Sequence, residues 1–324
     1  MNKIFLKKLY DLYSLKASSI NSEIIEQFLH TAKNAGVETY DETVFDRLLN
    51  NPLFMERALL DNIISICDIK LNVDYIGVLL NEMNAKSYND ADEYAIIFDE
   101  LLNFTMISLF VCVFSLSYDS SNENFSRCFK AYVTSLDLQG RKNTIGTNNI
   151  EENKKMLMLP KNIQDIAMDC YWASWTFIVG HEIYHILNPQ NNDNIQNELD
   201  ADRYGYEILI KMITAQQQGR IPKELKVYYE YTYLSPIMIL ELFKAIEVYK
   251  DMCGISTLNF QHPSTSTRQN RIFDLFDAII PDSLSTEDGN DVLNHFYDAI
   301  EYLQTQLQIK YQKGKLDFII KDNI

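Results

Sequence analysis

Glycine and proline are scarce in this chain, 10 and 7 among 324 residues, so there are few points at which a long regular element has to break. Cysteine is scarcer. Its five copies (Cys67, Cys112, Cys128, Cys170, Cys253) are scattered, odd in number and never spaced C-x-x-C, which excludes a disulfide framework and reads as reduced thiols of a cytoplasmic protein. Positive charge is also short: 29 Lys and Arg face 45 Asp and Glu, a net charge of -16 with no basic patch. That balance argues against nucleic acid and anionic membrane surfaces as partners. The N-terminal segment, Met1 to Ala17, mixes lysine with leucine and tyrosine and has no small-residue cleavage site, so it is not read as a signal peptide. Only one long uncharged run exists, Leu101 to Tyr118, and it carries Asn103, Thr105, Ser108, Ser115 and Ser117 without basic flanks. It is expected to be a buried core helix rather than a membrane span.

What is present is ordinary for a globular protein, 47% hydrophobic and 23% charged residues, enough for one elaborate domain or two. Residues 1–120 read as helix after helix. Ile4, Leu6, Leu9, Leu12 and Tyr13 begin one, Ser22 starts a second that stops at Gly36, and Phe45–Ile69 and Val73–Met83 follow at the helical period. Asn89 or Asp90 is expected to open the helix that contains the uncharged run. Residues 121–162 are turn-rich and read as a connection, in which Lys155–Leu159 could form a short strand. A strand edge there could pair with an extended substrate. From residue 163 onward, long helices return. The first is apolar on almost every side (Ile163, Ile166, Tyr171, Trp172, Trp175, Phe177, Ile178), the pattern of a helix in the middle of a domain.

That helix ends in Gly180-His181-Glu182-Ile183-Tyr184-His185. His181 and His185 are one turn apart on one face, so both imidazoles can reach a single metal ion, and Glu182 is close enough to take a proton from a water on it. With only five histidines in the chain, an accidental H-E-x-x-H is rare. Two surface histidines bridged by Glu182 would be the bland alternative, and the apolar helix speaks against it. Glu198, at the start of the next helix, is placed to be a third ligand, leaving a fourth position open as in catalytic zinc sites. Two imidazoles and one carboxylate suit zinc, whose charge lowers the pKa of a bound water towards about 7. Asp202, one helical turn after Glu198, can accept the second N–H of a ligating histidine, whereas Asp200 fits an acidic first turn. Gly180 costs a helix about 1 kcal/mol relative to alanine; close approach of another backbone would explain it.

His181-Glu182-x-x-His185, then Glu198-x-x-Ala201-Asp202, then His262-Pro263 with Arg268 downstream, resembles the gluzincin metallopeptidases, most closely the HtpX and CAAX-prenyl-protease group. The likeness lies within residues 163–280 and rests on three short motifs. It implies zinc on His181, His185 and Glu198, Glu182 as catalytic base, and Asp202 orienting a histidine. It also implies that His262 or Arg268 stabilises the oxyanion or holds the substrate backbone, unless that segment is only a helix-capping loop. That group is membrane-embedded, and this chain shows no convincing span. In that respect the layout is similar to a phage-exclusion protease. The expectation is therefore a mostly α (α+β) protein, with a zincin-like core and small sheet in 163–324, a loop-rich connection in 121–162 and a helical N-terminal region in 1–120. Its expected activity is that of a cytoplasmic zinc endopeptidase with one Zn2+ per chain, acting on a protein or peptide. The alternative is a metal-binding regulatory or interaction protein that keeps the fold without turnover.

Overall fold

The computed structural model describes residues 54–78, 85–90, 92–140, 161–189, 194–254, 263–280 and 287–313. The expected N-terminal helices before residue 54, the strand at 155–159, His262 and the C-terminal tail lie outside them. The described chain is mostly helical (78%) with one small sheet of three strands. The elements run α1 (Phe54–Ile66), β1 (Val73–Val78), β2 (Ala85–Asp90), β3 (Glu93–Asp99), α2 (Glu100–Tyr118), α3 (Asn122–Gly140), α4 (Lys161–Leu187), α5 (Asn194–Gln217), two 3-10 turns, α6 (Ser235–Met252), α7 (Thr265–Ile279) and α8 (Glu287–Gln312).

The centre of the molecule is α4. Every residue from Ala173 to Ile183 is buried, so the helix has no solvent face along this stretch and needs partners on all sides. α5 covers one side, the sheet another, and α2 and α6 the rest. The α4–α5 contact is the closest. A Cβ on Gly180 would lie 2.8 Å from the Gly205 Cα, and a Cβ on Gly205 would lie 2.5 Å from the Phe177 carbonyl oxygen. Two glycines therefore let the two backbones touch, as the odd glycine in a buried helix had suggested. Trp175 of α4 packs on the sheet between Tyr75 (ring centroids 5.5 Å apart) and Phe98 (6.4 Å), and its indole N–H donates to the Tyr75 hydroxyl at 3.4 Å. One hydrophobic cluster runs from Leu59 in α1 to Leu307 in α8, so the elements before residue 100 and the metal-motif helix share a core.

Two local expectations are overturned. Within the expected helix Val73–Met83, the described residues Val73–Val78 do not continue the helical run. Val73–Val78 is strand β1, and after the described gap Ala85–Asp90 and Glu93–Asp99 complete a sheet of order β1-β3-β2, with β3 parallel to β1 and antiparallel to β2. The apolar positions Val73, Ile76 and Leu80 fit a period near four, but short apolar runs serve strands equally well, and β-branched Val73, Ile76 and Val78 favour the pleat. β3 is buried on both faces from Ala95 to Asp99 because α4 and α2 enclose it. The helix with the uncharged run therefore starts at Glu100, not at Asn89 or Asp90. The second correction is α3, which occupies much of the expected connection. Ser121 accepts the Asn124 N–H at 3.3 Å, and Asp119 accepts the Ser121 N–H at 2.9 Å, so the Ser-Ser-Asn-Glu-Asn run is a helix start rather than a loop. α2 coincides with the uncharged run and is almost wholly buried. No helix among the described residues is long and apolar enough to cross a membrane.

Candidate metal centre

The site forms where the last turn of α4 meets the first turns of α5. α4 brings His181 and His185 to one face, and their Nε2 atoms lie 3.1 Å apart. α5 brings Glu198, whose Oε2 is 3.3 Å from His181 Nε2 and whose Oε1 is 3.4 Å from His185 Nε2. Across a tetrahedral zinc with bonds of about 2.0–2.1 Å, neighbouring ligand atoms stand about 3.3 Å apart. The two imidazole nitrogens stand near that spacing from each other, and each stands near it from one of the two Glu198 oxygens. The donor set also fits the ion chemically: two imidazoles and a carboxylate converge, with the open side facing a cleft. Among the described residues, these three are the group of side chains able to hold a metal ion.

The candidate ligands are held from behind. Asp202, fully buried one turn along α5 from Glu198, accepts the His181 Nδ1–H at 3.0 Å, which leaves the Nε2 lone pair facing the other donors. Arg268 of α7 grips the same carboxylate at both oxygens, Nε to Oδ2 at 2.8 Å and Nη2 to Oδ1 at 2.6 Å. Burial alone would raise the Asp202 pKa, but the guanidinium and His181 outweigh it and hold the carboxyl below its ordinary value. Burial likewise works against a charged His181, yet Asp202 and Glu198 bring its pKa up to about 9. The expectation for Arg268, contact with substrate or oxyanion, is corrected by this geometry. Its hydrogen bonds go to Asp202, behind His181. α7 itself begins on a cap, since Ser264 accepts the Thr267 N–H at 3.2 Å. His262 lies outside the described residues.

Glu182 is buried beside the ligands with 7% exposure, and burial raises its pKa. The neighbouring histidines and a hydrogen bond from the Ser87 backbone N–H pull it part of the way back. That strand contact went unread in the sequence. β2 lies along α4, and its Ser87, Tyr88 and Asn89 form one wall of the cleft, opposite His185, Asn197 and Glu198. In an antiparallel ladder the backbone groups of alternate residues turn outward. With the Ser87 N–H on Glu182, the Ser87 carbonyl and the Asn89 N–H turn away from β3 towards the cleft. Asn197 is the other omission. Its amide lies 3.3 Å from His185 Nδ1, and its Oδ1 is buried without a partner. Turned over, the amide accepts the Nδ1–H through Oδ1, which satisfies that oxygen and leaves His185 Nε2 as a donor to metal. The signal for Asn197 was its place beside Glu198 on the incoming helix; β2 left none, since its polar run pairs with the site only in three dimensions.

Comparison of the chain with protein-family models, with curated proteins and with solved structures finds no match.

Proposed function

We propose that this chain is a zinc-dependent endopeptidase that hydrolyses peptide bonds with Glu182 as general base. The observation that carries the reading is the convergence of the His181 and His185 Nε2 atoms, 3.1 Å apart, on the Glu198 carboxylate, one oxygen 3.3 Å from the first and the other 3.4 Å from the second, with the buried Glu182 beside them. A zinc ion held by those three residues would supply Lewis acidity toward a scissile carbonyl and make water acidic enough to deprotonate near neutral pH. The chain's own groups do the rest. Glu182 accepts the proton of the attacking water and returns it to the leaving amine; its burial lifts its basicity towards the working range. Asp202 and Asn197 set the two imidazole tautomers, and Arg268 keeps Asp202 ionised and in place. An extended peptide lying along β2 can pair with the Ser87 carbonyl and the Asn89 N–H, which supplies affinity without demanding a sequence. None of the five cysteines joins a disulfide, which suits a reducing compartment such as the cytoplasm.

The test is a comparison of proteome fragments generated by zinc-loaded wild type and by Glu182→Gln. New termini are expected with wild type alone, while both proteins hold about one zinc per chain. Equal cleavage by the two would sink the base assignment, and absence of zinc from both would sink the reading as a whole.

A further inference from the structure

Beside the metal centre, a cleft of about 380 Å3 continues from Glu198 between β2 and the end of α4. Its polar lining is built from amides and hydroxyls, beside the apolar Ile186 and Pro189. Asn89, Asn188 and Asn197 contribute carboxamides, Ser87 and Tyr88 contribute hydroxyls, and Ile186 is an apolar patch among them. Its one charged lining residue is Glu198, itself a candidate metal ligand. Asn188 sits just past the last turn of α4 and donates its Nδ2–H to the Tyr184 carbonyl at 3.0 Å, which leaves Oδ1 as an acceptor. Asn89, exposed at the strand edge, can offer both ends of its amide.

We infer that this cleft selects a substrate residue with an uncharged carboxamide side chain, glutamine or asparagine, next to the cleaved bond. The inference rests on the peptidase reading above and names its substrate class. Each competing side chain meets a physical objection. An aliphatic group would displace water from amides and hydroxyls that it cannot pair, and sites built to hydrogen-bond discriminate strongly against partners that cannot answer. A carboxylate would approach Glu198 and Glu182 on a chain of net charge -16. An ammonium would surrender its hydration, and the two carboxylates near it are committed, Glu198 to the metal and Glu182 to the attacking water. A carboxamide brings two N–H donors for Asn188 Oδ1 and the Asn89 carbonyl end, and an oxygen for the Ser87 hydroxyl or the Asn89 N–H.

The experiment is calorimetric titration of the zinc-loaded full chain with N-acetylated hydroxamates of glutamine, leucine, lysine and glutamate, so that the metal-binding group is constant and only the side chain varies. The glutamine compound should bind about tenfold more tightly than the other three. Asn188→Leu and Asn89→Leu should each shrink that lead to under about threefold, with bound zinc unchanged as the check on folding. Leucine binding as tightly as glutamine, or a glutamine preference that survives both substitutions, would overturn the inference while leaving the peptidase reading standing. If none of the four compounds binds the zinc-loaded chain, the peptidase reading falls and takes the inference with it.

Discussion

Replacing Gly205 with alanine tests the joint on which the metal centre depends. The added Cβ would sit 2.5 Å from the Phe177 carbonyl oxygen and 3.0 Å from the His181 backbone nitrogen, where 3.4 Å is the start of ordinary contact. Both obstacles are backbone atoms of a buried helix and cannot rotate away. α4 and α5 must therefore part by about 0.9 Å, and Glu198, two turns along α5 from the substitution, moves with its helix. Metal donors tolerate errors of only about 0.2 Å, so the carboxylate would be drawn out of register with the two imidazoles. Overpacking of this kind costs about 1–3 kcal/mol, of which the better helix propensity of alanine returns about 1. A net loss of up to about 2 kcal/mol should lower the melting point by up to a few degrees, and zinc affinity should fall about tenfold or more. Thermal melts with and without zinc, together with chelator competition for the metal, measure both effects. Wild-type zinc affinity in Gly205→Ala would refute the claim that this helix crossing sets the ligand spacing.

Asp202→Ala removes the acceptor of His181 and strands Arg268 in the interior, so it should cost about 3–5 kcal/mol of stability and weaken zinc binding about 10- to 100-fold; a variant with wild-type melting point and zinc affinity would show the Arg268–Asp202–His181 chain to be ornamental. Away from the site, burial raises the Asp169 pKa from 3.8 to about 6, although the Tyr231 hydroxyl donates to it at 2.7 Å. The folded state then holds a proton that the unfolded state has already lost between those values, so stability falls as pH rises from about 4 to 6. Solvent at this half-buried site trims the full linkage to about 1–2 kcal/mol; Asp169→Asn should flatten that part of the stability profile, and an unchanged profile would contradict the burial argument. Glu198→Gln should lower zinc affinity far more than Glu182→Gln, at least about a hundredfold against about tenfold, because the first loses a donor and the second only a nearby charge. Equal losses in competition titrations would show that Glu198 is not a ligand.

The two histidines and Glu198 could be read from the sequence because the helix converts spacing directly into geometry: residues four apart must share a face. Gly180 was informative for the same reason, since a glycine inside an otherwise apolar helix has few explanations, and Gly205 is the one found. What could not be read is whatever depends on contacts distant in sequence. Ser87 reaches Glu182 across almost a hundred residues, and no local pattern in Ala85–Asp90 announces a strand whose edge lines the cleft beside the two histidines. Asn122–Gly140 was misread because serine and asparagine favour turns and helix starts through the same side-chain hydrogen bonds. Arg268 was visible as a residue, but its partner was not. Only the packing of α7 against α5 decides that its guanidinium meets Asp202 rather than the cleft.

Charge gives an independent argument for the kind of ion the site suits. Three carboxylates are buried within it, Glu182, Glu198 and Asp202, against one permanent cation, Arg268. Arg268 and Asp202 neutralise each other through two hydrogen bonds. Glu182 and Glu198 remain, both at no more than 9% exposure, and a metal ion can take the two imidazoles as ligands only in their deprotonated form, so the positive charge that Asp202 and Glu198 favour on His181 is lost on binding. Two uncompensated carboxylates in one protein interior are costly, by several kcal/mol each after relaxation. A monovalent cation would leave half of that cost in place, and a trivalent one would overshoot. A divalent ion balances the pair, and it can be bound through Glu198 while Glu182 stays free to exchange a proton. The same balance explains the Arg268 clamp. Without it, Asp202 would be a third uncompensated carboxylate in the same interior; clamped, it orients the His181 ring while the guanidinium offsets part of its pull on the imidazole proton.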